Sequence, residues 1–354
     1  MTMSNSRGLY IHVPFCLSKC PYCDFYSVPF SQNAAREYSK AVIRNLARYD
    51  EPFRSVYFGG GTPILLAPYM ADILKNVRLE SGAEITAEAN PCMCVPKTLE
   101  QLRAAGVNRL SIGVQSLNDE ELSALGRRHS AEEAVRAVNA AKAAGFDDIS
   151  ADIMLAIPKQ TENSLRETIS RLAELPLTHV SAYLLKLEQG TPFGQSPPKI
   201  PDEDEAAELY LSAVELLAEH GFAQYEISNF AKAGFESRHN LIYWRREEYL
   251  GIGPAAHSFY NGKRFAVPRD IRKFIDSPAQ EEIITDASPD ETEERIMLGL
   301  RLSEGIPEEL WKPCEKRLRF IPKEYYATKN GRLSLTPRGF LLSNEIIALL
   351  TEEL

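Results

Sequence analysis

"GLYIHVPFCLSKCPYC" (residues 8–23) joins two features whose combination decides the fold. Its first half is a short apolar run with the pattern of a buried strand. Its second half places Cys16, Cys20 and Cys23, three of the six cysteines, immediately after that strand. A helical pattern follows in "AAREYSKAVIRNLARY" (34–49), so the stretch reads as the first βα unit of a longer series. The rhythm repeats. "SVYFGG" (55–60) precedes the helix "APYMADILKNV" (67–77), and "EITAEAN" (84–90) precedes "PKTLEQLRAAG" (96–106). "RLSIGVQS" (109–116) leads into helical sequence over 119–145, "DISADIML" (148–155) into "TENSLRETISRLAEL" (161–175), and "HVSAYLLKL" (179–187) is a sixth strand. This alternation predicts βαβ units and a parallel sheet, and the apolar character of several strands predicts burial on both faces. Six units fall short of a closed eight-fold barrel. The expected fold is therefore α/β, either a partial (β/α)6 TIM-like barrel or a doubly wound sheet. In both, ligands collect at the carboxyl ends of the strands.

Beyond the sixth strand the pattern changes. "GQSPPKIPDEDE" (194–205) is a Pro-rich acidic loop entering a helix that stops near Gly221, and "QYEIS" (224–228) reads as a last strand. "RHNLIYWRREEYLGIG" (238–253) reads as the start of an irregular connector. The segments 290–302, 311–320 and 336–354 predict a small, mostly helical terminal domain. The expected division is a core over 1–235, and a connector with terminal domain over 236–354.

The chain has 354 residues, 44% of them hydrophobic, and a net charge of −9, which argues against general nucleic-acid binding. The first residues, "MTMSNSRG", lack the apolar core of a signal peptide, and no apolar run approaches the ~18 residues that span a bilayer. The expectation is a cytoplasmic protein, where clustered cysteines serve as metal or redox ligands rather than disulfides.

A C-x3-C-x2-C loop can aim three sulfurs at one cluster. A [4Fe–4S] cluster normally takes four thiolates. With three, one iron stays open to another ligand. The alternatives are a zinc site completed by His12, a chance grouping, and a cysteine nucleophile. Structural zinc sites usually pair two separated ligand knuckles, which this loop does not show. Cys92, Cys94 and Cys314 read as ordinary small residues. "YFGGGTP" (57–63) ends the second strand with three glycines that let backbone approach a neighbour closely, though a tight turn alone would also explain them. Glu88 closes strand three, where a carboxylate can take ribose hydroxyls. Gln115 closes strand four, Arg127 offers a guanidinium suited to a carboxylate, and Asp152 lies inside strand five. Each alone could be a solvated or capping residue. Three polar side chains on successive strands are harder to dismiss, because burial costs them free energy unless they are bonded.

The cysteine motif resembles that of the radical S-adenosylmethionine (SAM) superfamily. "LYIHVPFCLSKCPYCDFYS", "FGGGTP", "ITAEANP", "NRLSIGVQSL" and "HNLIYW" more closely resemble the family of oxygen-independent coproporphyrinogen III oxidases and their heme-chaperone relatives, from about residue 8 to the C-terminus. The resemblance implies a radical SAM barrel, a [4Fe–4S] cluster on Cys16, Cys20 and Cys23, and SAM contacts from Tyr10, Tyr22, Gly60, Gly61, Thr62, Glu88, Gln115, Arg127 and Asp152. Three features point to the chaperone branch. Phe25 stands where the oxidases have a fourth cysteine. Only nine residues precede Tyr10. The H-N-x-x-Y-W mark is present as His239, Asn240, Tyr243 and Trp244. The resemblance then implies heme as a further ligand, with His239 a candidate axial nitrogen or, alternatively, a satisfied structural histidine. It implies respiratory heme proteins as acceptors, and is compatible with peripheral membrane association and a homodimer. The other readings are oxidative decarboxylation of coproporphyrinogen III, and radical SAM chemistry on an unrelated substrate. Two residues depart from the family pattern: Ala156 replaces a usual glycine before Ile-Pro, and Cys92 replaces a usual glycine after Asn-Pro.

Overall fold

The computed structural model describes residues 7–352. The stretch read as lacking a signal-peptide core lies outside these residues up to position 6. Six strands alternate with helices as predicted. β1 (Arg7–Val13) runs through the cysteine loop to α1 (Gln32–Leu46), β2 (Phe53–Gly60) to α2 (Ala67–Leu74), and β3 (Leu79–Ala89) to α3 (Pro96–Ala105). β4 (Arg109–Gln115) is followed by two helices, α4 (Asp119–Ala124) and α5 (Ala131–Ala143), where one helical stretch was expected. The break comes at Gly126, whose φ of 69° is left-handed, and Ser130 restarts the chain with a capping box. β5 (Asp148–Leu155) leads to α6 (Glu162–Ala173), and β6 (His179–Leu184) ends the series.

β1 to β6 lie side by side in chain order, all parallel. After α7 (Glu203–Glu219), β7 (Ala223–Glu226) and β8 (Asn229–Ala231) extend the sheet antiparallel beyond β6. The stretch 238–253, expected to be irregular, is instead a helix, α8 (Arg238–Trp244), and a strand, β9 (Tyr249–Ile252), which pairs parallel with the free edge of β1. Four residues carry too little periodicity to announce a strand, and the partner edge lies some 240 positions away in sequence. Antiparallel β10 (His257–Tyr260), β11 (Lys263–Ala266) and β12 (Ile283–Asp286) complete an open sheet of twelve strands that runs across residue 235. The remaining chain packs helices such as Glu291–Gly299 and Ser343–Thr351 around a three-stranded sheet formed by Ile306–Pro307, Arg332–Leu335 and Tyr326–Lys329, which the sequence pattern did not announce. No helix among the described residues is long and apolar enough to cross a membrane.

The two faces of the parallel strands differ. One carries Leu9, Ile11, Val56, Phe58, Leu110, Ile112, Ile149 and Val180, all fully buried. The other carries Tyr10, His12, Ser55, Tyr57, Glu84, Glu88, Arg109, Ser111, Ser150, Asp152, His179 and Ser181. Only one side is apolar; the other is buried at Ser55, Glu84, Arg109, Ser150 and His179 but half-buried at Tyr10, Tyr57, Glu88 and Asp152, and the period of two is visible in the sequence.

α8 packs against this polar face, and of the two readings of His239 its contacts are those of the satisfied structural histidine. Its side chain is fully buried: Nδ1 lies 2.8 Å from Ser55 Oγ and Nε2 lies 2.6 Å from Tyr243 Oη. Tyr57 stacks on the ring at 5.1 Å. The backbone N–H groups of Arg238 and His239 donate to the Glu84 carboxylate, an anion well placed at a helix N-terminus. Both imidazole nitrogens are occupied, so none is open to a metal. Burial, with Arg109 and Arg54 adding to it, pushes the imidazole pKa down to about 3. The unfolded chain would therefore bind a proton that the folded chain refuses. The stability from neutral His239 is full above pH 6.5 and is lost as the pH falls towards 3. Replacing His239 by Ala is expected to cost about 2–4 kcal/mol, through a cavity and two orphaned hydroxyls. It should also flatten the acid limb of the stability profile. Denaturant midpoints between pH 4 and pH 8 measure both effects.

Ala156, directly after β5, has a φ of 55° and is 4% exposed. A left-handed alanine stores strain of roughly 1–2 kcal/mol, which explains why a glycine suits this position. Ala156→Gly trades that strain against unfolded-chain entropy and should leave stability unchanged or raise it by up to about 1 kcal/mol. Ala156→Val should cost on the order of 2–3 kcal/mol. Urea midpoints with an unchanged m-value would separate the two.

Candidate cluster and cofactor site

Cys16, Cys20 and Cys23 are unpaired, half-buried thiols on the loop after β1. The loop is closed at its base by a two-residue parallel pairing of Phe15–Cys16 with Val28–Pro29, and turned by the Cys23 N–H donating to the Cys20 carbonyl at 3.1 Å. Two sulfurs already face donors: Thr62 Oγ1 lies 3.5 Å from Cys16 Sγ, and Arg127 Nη1 lies 3.5 Å from Cys20 Sγ. Burial, together with the neighbouring Cys20 and Cys16, raises the Cys23 thiol pKa. Among the described residues no three His, Cys, Asp or Glu side chains converge on a point that one metal ion would occupy. A cluster makes a different demand, since each thiolate takes its own iron. Three unpaired thiols on one short loop, with cationic and hydroxyl donors beside them, suit that donor set.

The glycine run has its own physical cause. Gly60 adopts a φ of 114°, and a Cβ there would stand 2.7 Å from the His12 ring. A Cβ on Gly61 would stand 2.6 Å from the Phe15 carbonyl oxygen, because the Gly61 N–H donates to Val13 O at 2.8 Å. The glycines thus press the end of β2 against the root of the cysteine loop. Thr62 follows, 3% exposed, and accepts from Asn90 Nδ2 at 3.2 Å.

Arg127 joins three elements. Nη2 donates to the Gly113 carbonyl at 2.8 Å and to Asn90 Oδ1 at 3.1 Å, while Nη1 reaches Tyr22 Oη at 3.4 Å as well as Cys20. Its Nε is buried without a partner. Asn90, which bridges Thr62 and Arg127, went unrecognised in the sequence. Its only signal was a polar residue at a strand end before proline.

Glu88 lies deeper. Oε1 accepts from Tyr57 Oη at 2.9 Å and Oε2 from the Gly60 N–H at 3.1 Å. The carboxylate is thus first an anchor for the glycine turn, and only its remaining lone pairs could meet a ligand. Asp152 accepts from Ser181 at 2.7 Å, from Ser111 at 2.9 Å and 3.0 Å, and from Ser150 at 3.5 Å. These three serines on β4, β5 and β6 were also missed, although their alternation with apolar residues marks them. Burial raises both carboxyl pKa values, Asp152 raises that of Glu88 further, and Glu88 reaches about 7. Gln115 ends β4 with a φ of 67°, at a register shift that re-aims its side chain. Tyr22 packs on a small apolar cluster of Leu125, Met154 and Ile157 beside Ala156. Tyr10 is placed within the polar face, its hydroxyl 3.1 Å from His12 Nδ1 and its ring stacked on Tyr57. His12 Nε2 lies 3.0 Å from the Tyr26 carbonyl, so both of its nitrogens are engaged and it completes no zinc site. Cys92 is exposed, whereas Cys94 and Cys314 are buried.

The coupling of the two carboxyls is measurable. Between pH 4.5 and about 7 the folded chain keeps the Glu88 proton that the unfolded chain has released, so that contribution to stability is full below pH 4.5 and lost by about pH 7. Carbon-13 NMR should find the Glu88 carboxyl titrating near 7. Asp152→Asn should lower that value without restoring 4.5, because burial is the larger cause.

The family model for the radical SAM superfamily matches residues 10–172. The heme chaperone HemW of Haemophilus influenzae is 34% identical over 98% of each chain, and that of Bacillus subtilis is 33% identical over 98% of this chain and all of its own. A mouse relative, mitochondrial radical S-adenosyl methionine domain-containing protein 1, is 34% identical over 98% of this chain and 86% of its own. Among solved structures, coproporphyrinogen III oxidase (HemN) of Escherichia coli superposes with a TM-score of 0.81 over 100% of this chain and 92% of its own, at 20% identity, a likeness of fold. With the partial barrel, the three-cysteine loop and these end-to-end likenesses together, the chain belongs to the radical SAM superfamily and, within it, to the HemW-like family.

Proposed function

We propose that this chain is a cytoplasmic heme chaperone that holds a [4Fe–4S] cluster on Cys16, Cys20 and Cys23, binds SAM beside it, and hands heme to respiratory heme proteins. The observation that carries the reading is the end-to-end likeness to proteins named heme chaperones. The site supports it through the Arg127 guanidinium, 3.5 Å from Cys20 Sγ, and the residue two positions after Cys23, where Phe25 is 60% exposed. In this reading Arg127 holds the SAM carboxylate. Thr62 and the backbone of Gly60 and Gly61 orient its amino group. Asp152 and Gln115 face its sugar, and Tyr22 with the apolar cluster at Leu125, Met154 and Ile157 borders its base. When bound, the cluster supplies the electron that cleaves SAM. The second reading, oxidative decarboxylation of coproporphyrinogen III, draws on the shared fold of HemN.

In this reading heme is held by a group other than His239, whose two ring nitrogens are both hydrogen-bonded. Four of the six histidines, His12, His129, His179 and His239, are buried, and only His220 and His257 are exposed. The test is anaerobic reconstitution followed by addition of heme, or of coproporphyrinogen III with SAM and reductant. A saturable heme spectrum without porphyrin product is the expected outcome. Steady product formation would favour the oxidase instead. Alanine at Cys16, Cys20 or Cys23 should remove the cluster absorbance from a folded protein, while alanine at Cys314 should not. Arg127→Ala should weaken SAM binding roughly tenfold to a hundredfold, the loss expected for a charge-assisted contact.

A further inference from the structure

Asn90 follows β3 and precedes Pro91, a position where an asparagine side chain commonly caps the turn that comes next. Here it does not. Asn90 is extended, with φ −89° and ψ 141°, as a residue before proline prefers, and its side chain makes no capping bond to the short Pro91–Met93 turn. Its backbone carbonyl accepts from the Met93 N–H at 2.9 Å and from the Cys94 thiol at 3.6 Å, which anchors the base of the side chain. The half-buried carboxamide is left to span the space between Arg127 and Thr62.

The direction of each bond follows from what the atoms can do. A guanidinium has donors and no acceptor. The Asn90 atom 3.1 Å from Arg127 Nη2 is therefore the amide oxygen. That leaves the amide nitrogen 3.2 Å from Thr62 Oγ1. The nitrogen only donates, so the Thr62 oxygen accepts, and the hydroxyl proton goes to another acceptor. Thr62 is 3% exposed, so water competes little for that proton, and Cys16 Sγ lies 3.5 Å away. The guanidinium that orients the amide also places Nη1 3.5 Å from Cys20 Sγ. One carboxamide thus connects the donors that face two of the three loop sulfurs.

We propose that Asn90 is a positioning residue for the cluster. By accepting from Arg127 and donating to Thr62, it turns the Thr62 hydroxyl onto the Cys16 sulfur and steadies the guanidinium beside Cys20. Hydrogen bonds to the sulfurs are among the levers that set a cluster's reduction potential, because they favour the more negative, reduced state. Asn90 therefore raises the potential without touching the cluster. The inference rests on the assignment of the cluster to Cys16, Cys20 and Cys23.

The test is an EPR-monitored redox titration of the anaerobically reconstituted full chain, without SAM, in the wild type, Asn90→Leu, Thr62→Val and the double variant. Leucine approximates the asparagine in shape and removes both side-chain bonds, and valine does the same for the hydroxyl. Each single variant is expected to lower the potential. The double variant should shift it by less than the sum of the two, because residues within one hydrogen-bond network are not additive. Proton ENDOR of the reduced cluster, compared in water and deuterium oxide, gives a second readout. An exchangeable proton present in the wild type should be lost from Thr62→Val and also from Asn90→Leu, although Thr62 is still there. If Asn90→Leu fails to fold or to hold the cluster, Asn90→Asp decides: its carboxylate keeps an acceptor for Arg127 but draws the Thr62 proton away from Cys16, so the same proton signal should vanish. A potential indifferent to Asn90→Leu, shifts that simply add, or a proton signal that survives at Thr62 would overturn the proposal while leaving the cluster assignment intact. A wild type that reconstitutes no cluster would overturn both.

Discussion

Two half-buried carboxyl groups on one polar sheet face set the constraint from which much of this site follows. Glu88 and Asp152 stand on the polar face of the parallel sheet, close enough that the charge of Asp152 raises the pKa of Glu88. Leaving such groups unpaired would cost more than most single interactions in a protein supply. The chain resolves this by surrounding each with donors. Asp152 takes hydroxyls from three adjacent strands, and the strand register brings Ser181 directly opposite it. Glu88 takes a phenol and a backbone N–H. The second bond fixes the turn at Gly60, and that turn holds Thr62 against Cys16. The position of the cluster loop is thus tied to the hydrogen bonding of a half-buried carboxyl group.

The same economy explains α8. The polar face of the sheet cannot be covered by an apolar helix, because Ser55, Tyr57 and Glu84 would lose their partners. The helix that covers it therefore presents His239 to Ser55, Tyr243 to the imidazole, and its own N-terminal N–H groups to Glu84. The H-N-x-x-Y-W stretch looks like a ligand motif in the sequence because it combines a histidine with aromatics. In the fold its His239 and Tyr243 form a hydrogen-bonded pair against the sheet. Burial decides between the two meanings, and burial of a seven-residue helix is set by strands hundreds of positions away.

The main series of βα units was legible because it rests on local signals: apolar strands, helical periods, and glycine or proline between them. The cysteines, Gly60, Gly61, Thr62 and Arg127 were legible because their spacing or strand-end position is itself chemical information. What stayed hidden depended on pairing across distance. β9 has four residues and becomes a strand only beside β1. Ser111, Ser150 and Ser181 are unremarkable singly and meaningful only once three strands align them. Asn90 gains its role by standing between Thr62 and Arg127. The strands were expected to read as continuous apolar runs, but one face carries polar side chains, and burial and apolarity separate wherever a polar side chain has a partner.

These contacts join into one path. His239 stacks on Tyr57, the Tyr57 hydroxyl donates to Glu88, and Glu88 accepts from the Gly60 N–H. The path crosses from a helix at residue 239 to the turn beside the cysteine loop by way of one aromatic ring. Each link is a packed or bonded contact with little slack, since a Cβ on Gly59 would already stand 2.9 Å from that ring. A sequence segment outside the six βα units therefore bears on the geometry of the cluster site without touching it. An imidazole bonded at both nitrogens and stacked on Tyr57 keeps that ring where its hydroxyl donates to Glu88.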